Sequence, residues 1–161
     1  MRTVVGIDPG LASTGWGVVG FDGSRFIHMG HGVVTTDPGT PLAERLLKIH
    51  TEILEVLDRF GPKEAGVEEL FFMKNVSSAM HVAHARGVAL LALGQRGITV
   101  GSYSPQQVKQ AVLGRGRADK DQVQRLVAVI LGLESVPSPD HAADALAMAI
   151  CHVNRSWINV Q

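Results

Sequence analysis

The sequence is poor in cysteine, with Cys151 as the single example among 161 residues. One cysteine cannot form an intrachain disulfide, which is typical of a reducing cytoplasm. The chain also lacks an uninterrupted apolar run near the ~20 residues of a membrane helix, because charges or glycines break every candidate. The segment Met1-Arg2-Thr3-Val4-Val5-Gly6 has no secretory h-region. We therefore expect a cytoplasmic protein without a membrane segment, in which Cys151 packs in the core.

The chain has no net charge, since 15 basic residues balance 15 acidic ones. Neutrality argues against a nucleic-acid partner, but the charges are unevenly distributed. Residues 70–118 contain no Asp or Glu and carry six basic residues, which are Lys74, Arg86, Arg96, Lys109, Arg115 and Arg117. A long basic segment without acids is typical of a surface that faces phosphates. A chance distribution around an apolar helix is the alternative explanation.

The length and composition favour one folded domain over residues 1–161. Hydrophobic residues make up 45% and charged residues 19%, as in ordinary globular proteins rather than disordered ones. A chain of this length can bury one substantial core and has little room for a second. No internal repeat, low-complexity segment or long linker divides the sequence.

Apolar periodicity and turn residues predict the element order βββ-α-β-α-β-α-α-α. Strands are predicted at 3–8, 14–21, within 25–35, at 64–68 and at 97–103, and helices at 41–60, 75–94, 105–113, 119–131 and 138–154. Three antiparallel strands followed by alternating elements indicate an α/β fold, a five-stranded mixed sheet with helices on both faces. The second helix is apolar on most sides, so we expect it to be covered twice or to contact a second copy of the chain.

Acidic residues lie at the ends of several predicted elements. Asp8 ends the first strand, Glu68 ends the fourth, and the last helix carries Asp140, His141 and Asp144. Residues three or four apart share a helix face, so either Asp140 or His141 can lie beside Asp144. If the first and fourth strands are neighbours, Asp8 and Glu68 come within reach of that face. Such ligands can hold two divalent cations about 4 Å apart, the arrangement used to hydrolyse phosphodiesters.

Each of these side chains also has a purely structural explanation. Asp8 can be a turn former, Glu68 a solvated strand end, and Asp140 an acid favoured by the helix dipole. A lone histidine such as His141 is more often structural than a ligand. Asp144 is harder to explain in this way, because an acid among alanines is costly without a partner.

Six short motifs occur in order between residue 3 and about residue 152. They are Gly6-Ile7-Asp8-Pro9-Gly10, Val67-Glu68, Lys74-Asn75, Ala85-Arg86-Gly87, Gln107-Val108-Lys109-Gln110 and Ala142-Ala143-Asp144-Ala145-Leu146-Ala147. As an ordered set they resemble the RuvC Holliday-junction resolvases. The resemblance implies a ribonuclease-H-like fold, a homodimer, and symmetric metal-dependent nicking of two like-polarity strands of a four-way DNA junction during recombination and repair. It also implies a branch-migration helicase complex as a partner.

The resemblance assigns four metal-binding catalytic positions to Asp8, Glu68, His141 and Asp144, with two Mg²⁺ or Mn²⁺ ions. The commonest residue at the third position is aspartate, from which this sequence departs. Asp140 stands one residue earlier, but one residue rotates a helical side chain by about 100°, so His141 is the predicted ligand and Asp140 the reserve. Nitrogen ligands suit Mg²⁺ less than oxygen ligands, so Mn²⁺ is expected to be preferred. Positioning water or protonating the leaving oxygen is an open alternative for His141.

The resemblance also implies a set of DNA contacts. Lys109 and Lys120 match lysines that contact phosphate and support catalysis. Phe71 matches an aromatic residue that stacks on an unpaired junction base, although core packing is its alternative explanation. The other predicted DNA-binding residues are Phe72, Lys74, Arg115 and Arg117.

Three other functions are open at this stage. The motif Gly6-Ile7-Asp8-Pro9-Gly10 also suggests an actin-like nucleotide phosphatase, but that architecture needs two such domains, and 161 residues hold one. A non-catalytic junction-binding module would follow if His141 disrupted the metal site. A different ribonuclease-H-like nuclease, acting on RNA–DNA hybrids, is the third alternative.

Overall fold

A computed structural model describes residues 1–70, 75–114 and 119–158. The strands are β1 (Arg2–Asp8), β2 (Ser13–Phe21), β3 (Phe26–Thr35), β4 (Glu64–Glu68) and β5 (Thr99–Tyr103). The helices are α1 (Leu42–Phe60), α2 (Val76–Gln95), α3 (Pro105–Leu113), α4 (Lys120–Leu131) and α5 (Asp140–Ile158). The predicted element order and fold class are confirmed.

The five strands form one mixed sheet in the order β3-β2-β1-β4-β5. β1 and β2 are antiparallel, as are β2 and β3, whereas β4 runs parallel to β1 and β5 runs parallel to β4. β1 is central and fully buried at Val4, Val5 and Ile7, because helices cover both faces of the sheet. Since Ile7 pairs with Val67, Asp8 and Glu68 follow at adjacent strand ends.

Helices cover the two faces of the sheet with two separate cores. α1 and α2 cover one face, where Ile49 and Ile53 pack with Val5 and Val18. α3, α4 and α5 cover the other, where Leu146 packs with residues of β1, β2, α3 and α4. Burying each large aliphatic side chain contributes roughly 1.5–3 kcal/mol, so these cores fix the sheet on which the acidic residues stand.

Two glycines allow α5 to lie almost directly on the sheet. A Cβ atom on Gly6 would overlap the backbone carbonyl of Ala145, and one on Gly15 would overlap the carbonyl of His141. Gly15 is the antiparallel partner of Asp8 in β1. The missing side chain at Gly15 therefore lets His141 approach Asp8.

Three helices begin at residues whose side chains cap the helix N-terminus. Asn75 accepts a hydrogen bond from the Ser77 amide at the start of α2. Ser104 and Asp119 each form a capping box, with glutamine three residues later, at the starts of α3 and α4. These caps fix the start of the helices that carry Lys109 and Lys120.

Cys151 is fully buried in α5, as predicted. Burial raises the pKa of its thiol to about 12. A thiol that stays protonated is a poor nucleophile, which agrees with a packing role.

α2 combines an apolar sequence with a narrow buried side. By length and composition alone this helix could cross a membrane, which for a single helix is weak evidence. It buries Ala85, Ala89 and Leu93, while Met80 and Leu91 are exposed. Of the two expectations for α2, cover on both sides is not met within the described part of this chain, and contact of its exposed side with a second copy stays a prediction.

Candidate active site

The acidic residues predicted from the sequence converge at the carboxyl ends of the neighbouring strands β1 and β4. Three possible metal-ligand atoms lie within 4.8 Å of one another, one each from Asp8, His141 and Asp144. Glu68 lines the same cavity of about 260 Å³ as Asp8 and Asp144. The convergence arises because β1 and β4 end side by side beneath the first two turns of α5.

His141 and Asp8 are in direct contact. The imidazole Nδ1 of His141 lies 2.9 Å from Oδ2 of Asp8, which is only 6% exposed. The hydrogen bond to Asp8 raises the pKa of His141, and the negative charge of Asp8 adds to the effect. The structure thus brings His141, rather than Asp140, against Asp8.

Asp140 points to a different part of the site. Its carboxylate is 71% exposed and lies 3.7 Å from the Nζ of Lys120. It is not among the three residues whose ligand atoms cluster. The assignment of His141 as a metal ligand stays a prediction, with geometry that favours it over Asp140.

The carboxylates are crowded and partly desolvated. Burial, a hydrogen bond shared with the Asp8 carboxylate and the negative charges of Asp8 and Asp144 together raise the pKa of Glu68 to about 8. Burial also raises the pKa of Asp144, with the charge of Asp8 acting in the same direction. A divalent cation would relieve this repulsion, and three carboxylates with one imidazole are donors that Mg²⁺ or Mn²⁺ can use. The residues present therefore fit a divalent metal site.

Two predicted lysines lie beside the acids. The Nζ of Lys120 is 3.1 Å from Oδ2 of Asp144. Burial lowers the pKa of Lys120, but the hydrogen bond to Asp144 and the surrounding acids outweigh it, so the net shift is upward and the ammonium stays charged. Lys109 lines the same cavity. The other predicted DNA-binding residues, Phe71, Phe72, Lys74, Arg115 and Arg117, lie outside the described residues.

Sequence reasoning missed Gln124, which lies one turn after Lys120 on α4. Its side chain is only 6% exposed, and Nε2 has no hydrogen-bond partner among the described residues. The side chain lies beside Asp144. Burial raises the pKa of Asp144, and both Lys120 and the Gln124 amide partly offset this rise. The signal in the sequence is a polar residue on an otherwise apolar helix face, four residues after a candidate site lysine.

Arg86 belongs to a motif that the sequence singled out without a role. Its Nε donates a hydrogen bond of 3.0 Å to the backbone carbonyl of Glu68, and its NH2 group donates one of 2.9 Å to Ser102. Arg86 therefore ties the ends of β4 and β5 together from α2. It holds the backbone that carries Glu68 rather than the reacting groups.

Comparisons with known proteins point to one family. The family model described as crossover junction endodeoxyribonuclease RuvC matches residues 4–152. The crossover junction endodeoxyribonuclease RuvC of Treponema denticola is 52% identical over 151 residues, covering 94% of this chain and 85% of the relative. The protein of the same name from Chloroflexus aggregans is 55% identical over 148 residues, covering 92% of this chain and 90% of the relative.

The fold matches a solved structure equally well. A structure described as T. thermophilus RuvC in complex with Holliday junction substrate has a TM-score of 0.95 and 42% identity, covering 99% of this chain and 97% of that one. The ribonuclease-H-like fold expected from the sequence is therefore confirmed. The chain belongs to the crossover junction endodeoxyribonuclease RuvC family.

Proposed function

We propose that this family member cuts four-way DNA junctions with Asp8, Glu68, His141 and Asp144 as its catalytic residues. The observation that carries the proposal is the convergence of Asp8, His141 and Asp144 ligand atoms within 4.8 Å. The Holliday junction substrate in the related T. thermophilus complex supports the choice of DNA. Hydrolysis of one phosphodiester in each of two like-polarity strands would separate the junction into two duplexes.

The four proposed catalytic residues would hold two Mg²⁺ or Mn²⁺ ions. Bound divalent ions would lower the pKa of an attacking water and neutralise charge on the scissile phosphate. The crowded carboxylates support this assignment, because without a cation burial, reinforced by the neighbouring Asp8 and Asp144 carboxylates, raises the pKa of Glu68 to about 8. The imidazole of His141 supports a preference for Mn²⁺ over Mg²⁺.

The chain's own groups have separate tasks around the phosphate. Asp8 accepts the hydrogen bond from His141 and so fixes the orientation of the imidazole ring. Lys120 stays charged beside Asp144 and can bind a non-bridging phosphate oxygen, as can Lys109 across the same cavity. Glu68 has to release its proton before it can serve as a ligand.

Further DNA contacts and partners belong to the same proposal. Phe71 would stack on an unpaired junction base, with Phe72 beside it, and Lys74, Arg115 and Arg117 would bind phosphates. Two cuts need two active sites, so we propose a cytoplasmic homodimer that works with a branch-migration helicase complex.

One assay separates this function from its alternatives. The protein is incubated with a synthetic four-way junction, a linear duplex and an RNA–DNA hybrid, in Mn²⁺ or in EDTA, beside an Asp8→Asn variant. Paired nicks in the junction alone, which need metal and Asp8, support the proposal. Tight junction binding without nicks indicates a non-catalytic binding module, and preferential cutting of the hybrid indicates a different nuclease.

A further inference from the structure

A second cavity lies beside the Asp8–His141 pair, and neither Lys109 nor Lys120 lines it. It has a volume of about 400 Å³ and meets the active site at His141. The residues that shape it come from the turn after β1, the start of α1 and the start of α2, and include Leu11, Pro38, Arg45, Ser78, His81 and His141. Of the four proposed metal ligands, only His141 lines this cavity.

The polar side chains that line the cavity can all donate hydrogen bonds, and none of its lining residues is acidic. Arg45 is its principal cation, and it has no ion pair among the described residues. Its Nε donates a hydrogen bond of 2.8 Å to the hydroxyl of Thr36, which holds the guanidinium in place. By contrast, Lys48 on the next turn pairs with Glu52 at 3.7 Å. A fixed, unneutralised guanidinium in a cavity is suited to bind an oxyanion.

The start of α2 adds to this character. Ser78 and His81 lie in the first two turns of the helix, which has no acidic residue in its first turn. The positive end of the helix dipole therefore acts in the same direction as Arg45. Leu11 and Pro38 give the cavity an apolar wall, against which the carbons of a deoxyribose can pack.

We propose that this cavity binds a backbone phosphate of the cleaved strand, next to the scissile phosphate, with Arg45 as its main ligand and His81 and Ser78 as further donors. The inference rests on the proposed function and extends it. A strand whose phosphate lies at Asp8 has to continue past the active site in both directions. Lys109 and Lys120 line the cavity that holds the carboxylates, and among the described residues Arg45 supplies a separate basic surface in the cavity that shares His141.

The first test measures junction affinity against salt in EDTA, where no cleavage interferes. Each phosphate that a protein cation neutralises contributes about 0.9 to the slope of log K against log salt for duplex DNA, and about 0.7 for single strands. Arg45→Gln should lose one such contribution and weaken binding about five- to tenfold. Arg45→Lys should restore the slope, since it keeps the charge without the planar guanidinium.

The control is Arg59→Gln, which removes the same charge from the last turn of the same helix. Arg59 lies 14 residues after Arg45, or about 21 Å along the helix, and it does not line the cavity. The Arg59→Gln variant should keep the wild-type slope. Equal losses in both variants would mean that only the overall charge matters and would overturn the proposal.

A second test locates the phosphate. Junctions are made with single neutral methylphosphonates at the two positions on either side of the scissile phosphate in the cleaved strand. One of these substitutions should weaken junction binding by the wild-type protein but not by Arg45→Gln. If Arg45 contacts that phosphate, removing either partner abolishes the same interaction, and removing both causes no further loss. Additive losses at every position would contradict the cavity site.

The outcomes distinguish this inference from the proposed function. If the wild-type chain neither binds nor cuts junctions, the proposed function is wrong. If it does both while Arg45→Gln keeps the wild-type affinity and slope, only the phosphate site is wrong. A lower melting temperature in Arg45→Gln, together with failure of Arg45→Lys to restore the slope, would assign Arg45 a structural role through Thr36.

Discussion

Nδ1 of His141 lies 2.9 Å from Oδ2 of Asp8, although 133 residues separate them in the chain. The contact depends on Gly15, the strand partner of Asp8, because any side chain there would push α5 away from the sheet. A histidine on the helix and an aspartate on the central strand thus form one unit. The close packing of α5 on Gly15 therefore sets the distance between two of the proposed metal ligands.

Gly15→Ala should damage both stability and activity. The added methyl would overlap the carbonyl of His141, and such overpacking costs about 1–3 kcal/mol of unfolding free energy. Gly94→Ala in α2 is the control, because its methyl meets no atom within 4 Å and alanine favours a helix. Urea unfolding and junction cleavage should both be unimpaired in Gly94→Ala. Equal behaviour of the two variants would show that α5 does not need the close approach.

His141→Asp should shift the metal preference toward Mg²⁺. Replacing a nitrogen donor by a carboxylate oxygen suits the harder ion and restores one negative charge. We expect the ratio of Mn²⁺-supported to Mg²⁺-supported junction cleavage to fall by about tenfold, on the order of 1.4 kcal/mol. An unchanged ratio would remove His141 from the metal site.

The metal-free protein should become less stable as pH rises. Glu68 has a pKa of about 8 in the folded chain against an ordinary value of 4.5, so the folded state holds an extra proton between these values. Stability gained from that proton is complete below pH 4.5 and is lost as pH rises through 8. The raised pKa values of His141 and Asp144 act in the same direction.

Urea unfolding in EDTA at pH 5.5 and pH 8.5 measures this effect. We expect the free energy of unfolding to be about 2 kcal/mol lower at pH 8.5, after allowance for solvent screening. Glu68→Gln is the matched control, since it keeps the shape and cannot titrate. The free energy of unfolding of Glu68→Gln should change clearly less between the two pH values than that of the wild type. A wild-type protein that is more stable at pH 8.5 would contradict the crowded acidic site.

Gln124→Met should weaken metal binding without unfolding the chain. Methionine keeps the volume of this buried side chain but removes the amide beside Asp144. We expect the Mn²⁺ affinity measured by calorimetry to fall about three- to tenfold, while junction binding in EDTA stays at the wild-type level. Gln110→Met, at an exposed position on α3, is the control. A Gln124→Met protein with wild-type Mn²⁺ affinity would reduce Gln124 to a packing residue.

Most of the fold could be predicted from local sequence signals, and the differences have local causes. β4 occupies the predicted residues, and β1 differs by one residue. β5 begins at Thr99 rather than at 97, because Gly97 adopts a left-handed φ of 64° where the chain leaves α2. α5 extends past Asn154, whose side chain donates to the backbone carbonyl of Ala111 on α3. A contact between distant segments of this kind has no local signature.

The chemical composition of the site was predictable, but its supporting residues were not. Three acids stand out in the sequence, namely Asp8, Glu68 and Asp144. They lie at strand ends or among alanines, where burying a carboxylate is costly without a partner. Arg45 has ordinary surroundings in the sequence, and Gln124 shows only as a polar residue on an apolar helix face, so their roles emerge only once α1 and α4 are packed against the sheet. Tertiary packing decides which ordinary polar residue lies beside a reacting group.

The most direct test of the account is the position of Mn²⁺ in crystals of the wild-type protein, read from its anomalous scattering. The account predicts a peak coordinated by Asp8 and Asp144, with Glu68 or His141 completing the ligands, and loss of that peak in Asp8→Asn. A fully occupied Mn²⁺ elsewhere, with Asp8 and Asp144 bound only to protein groups, would contradict it.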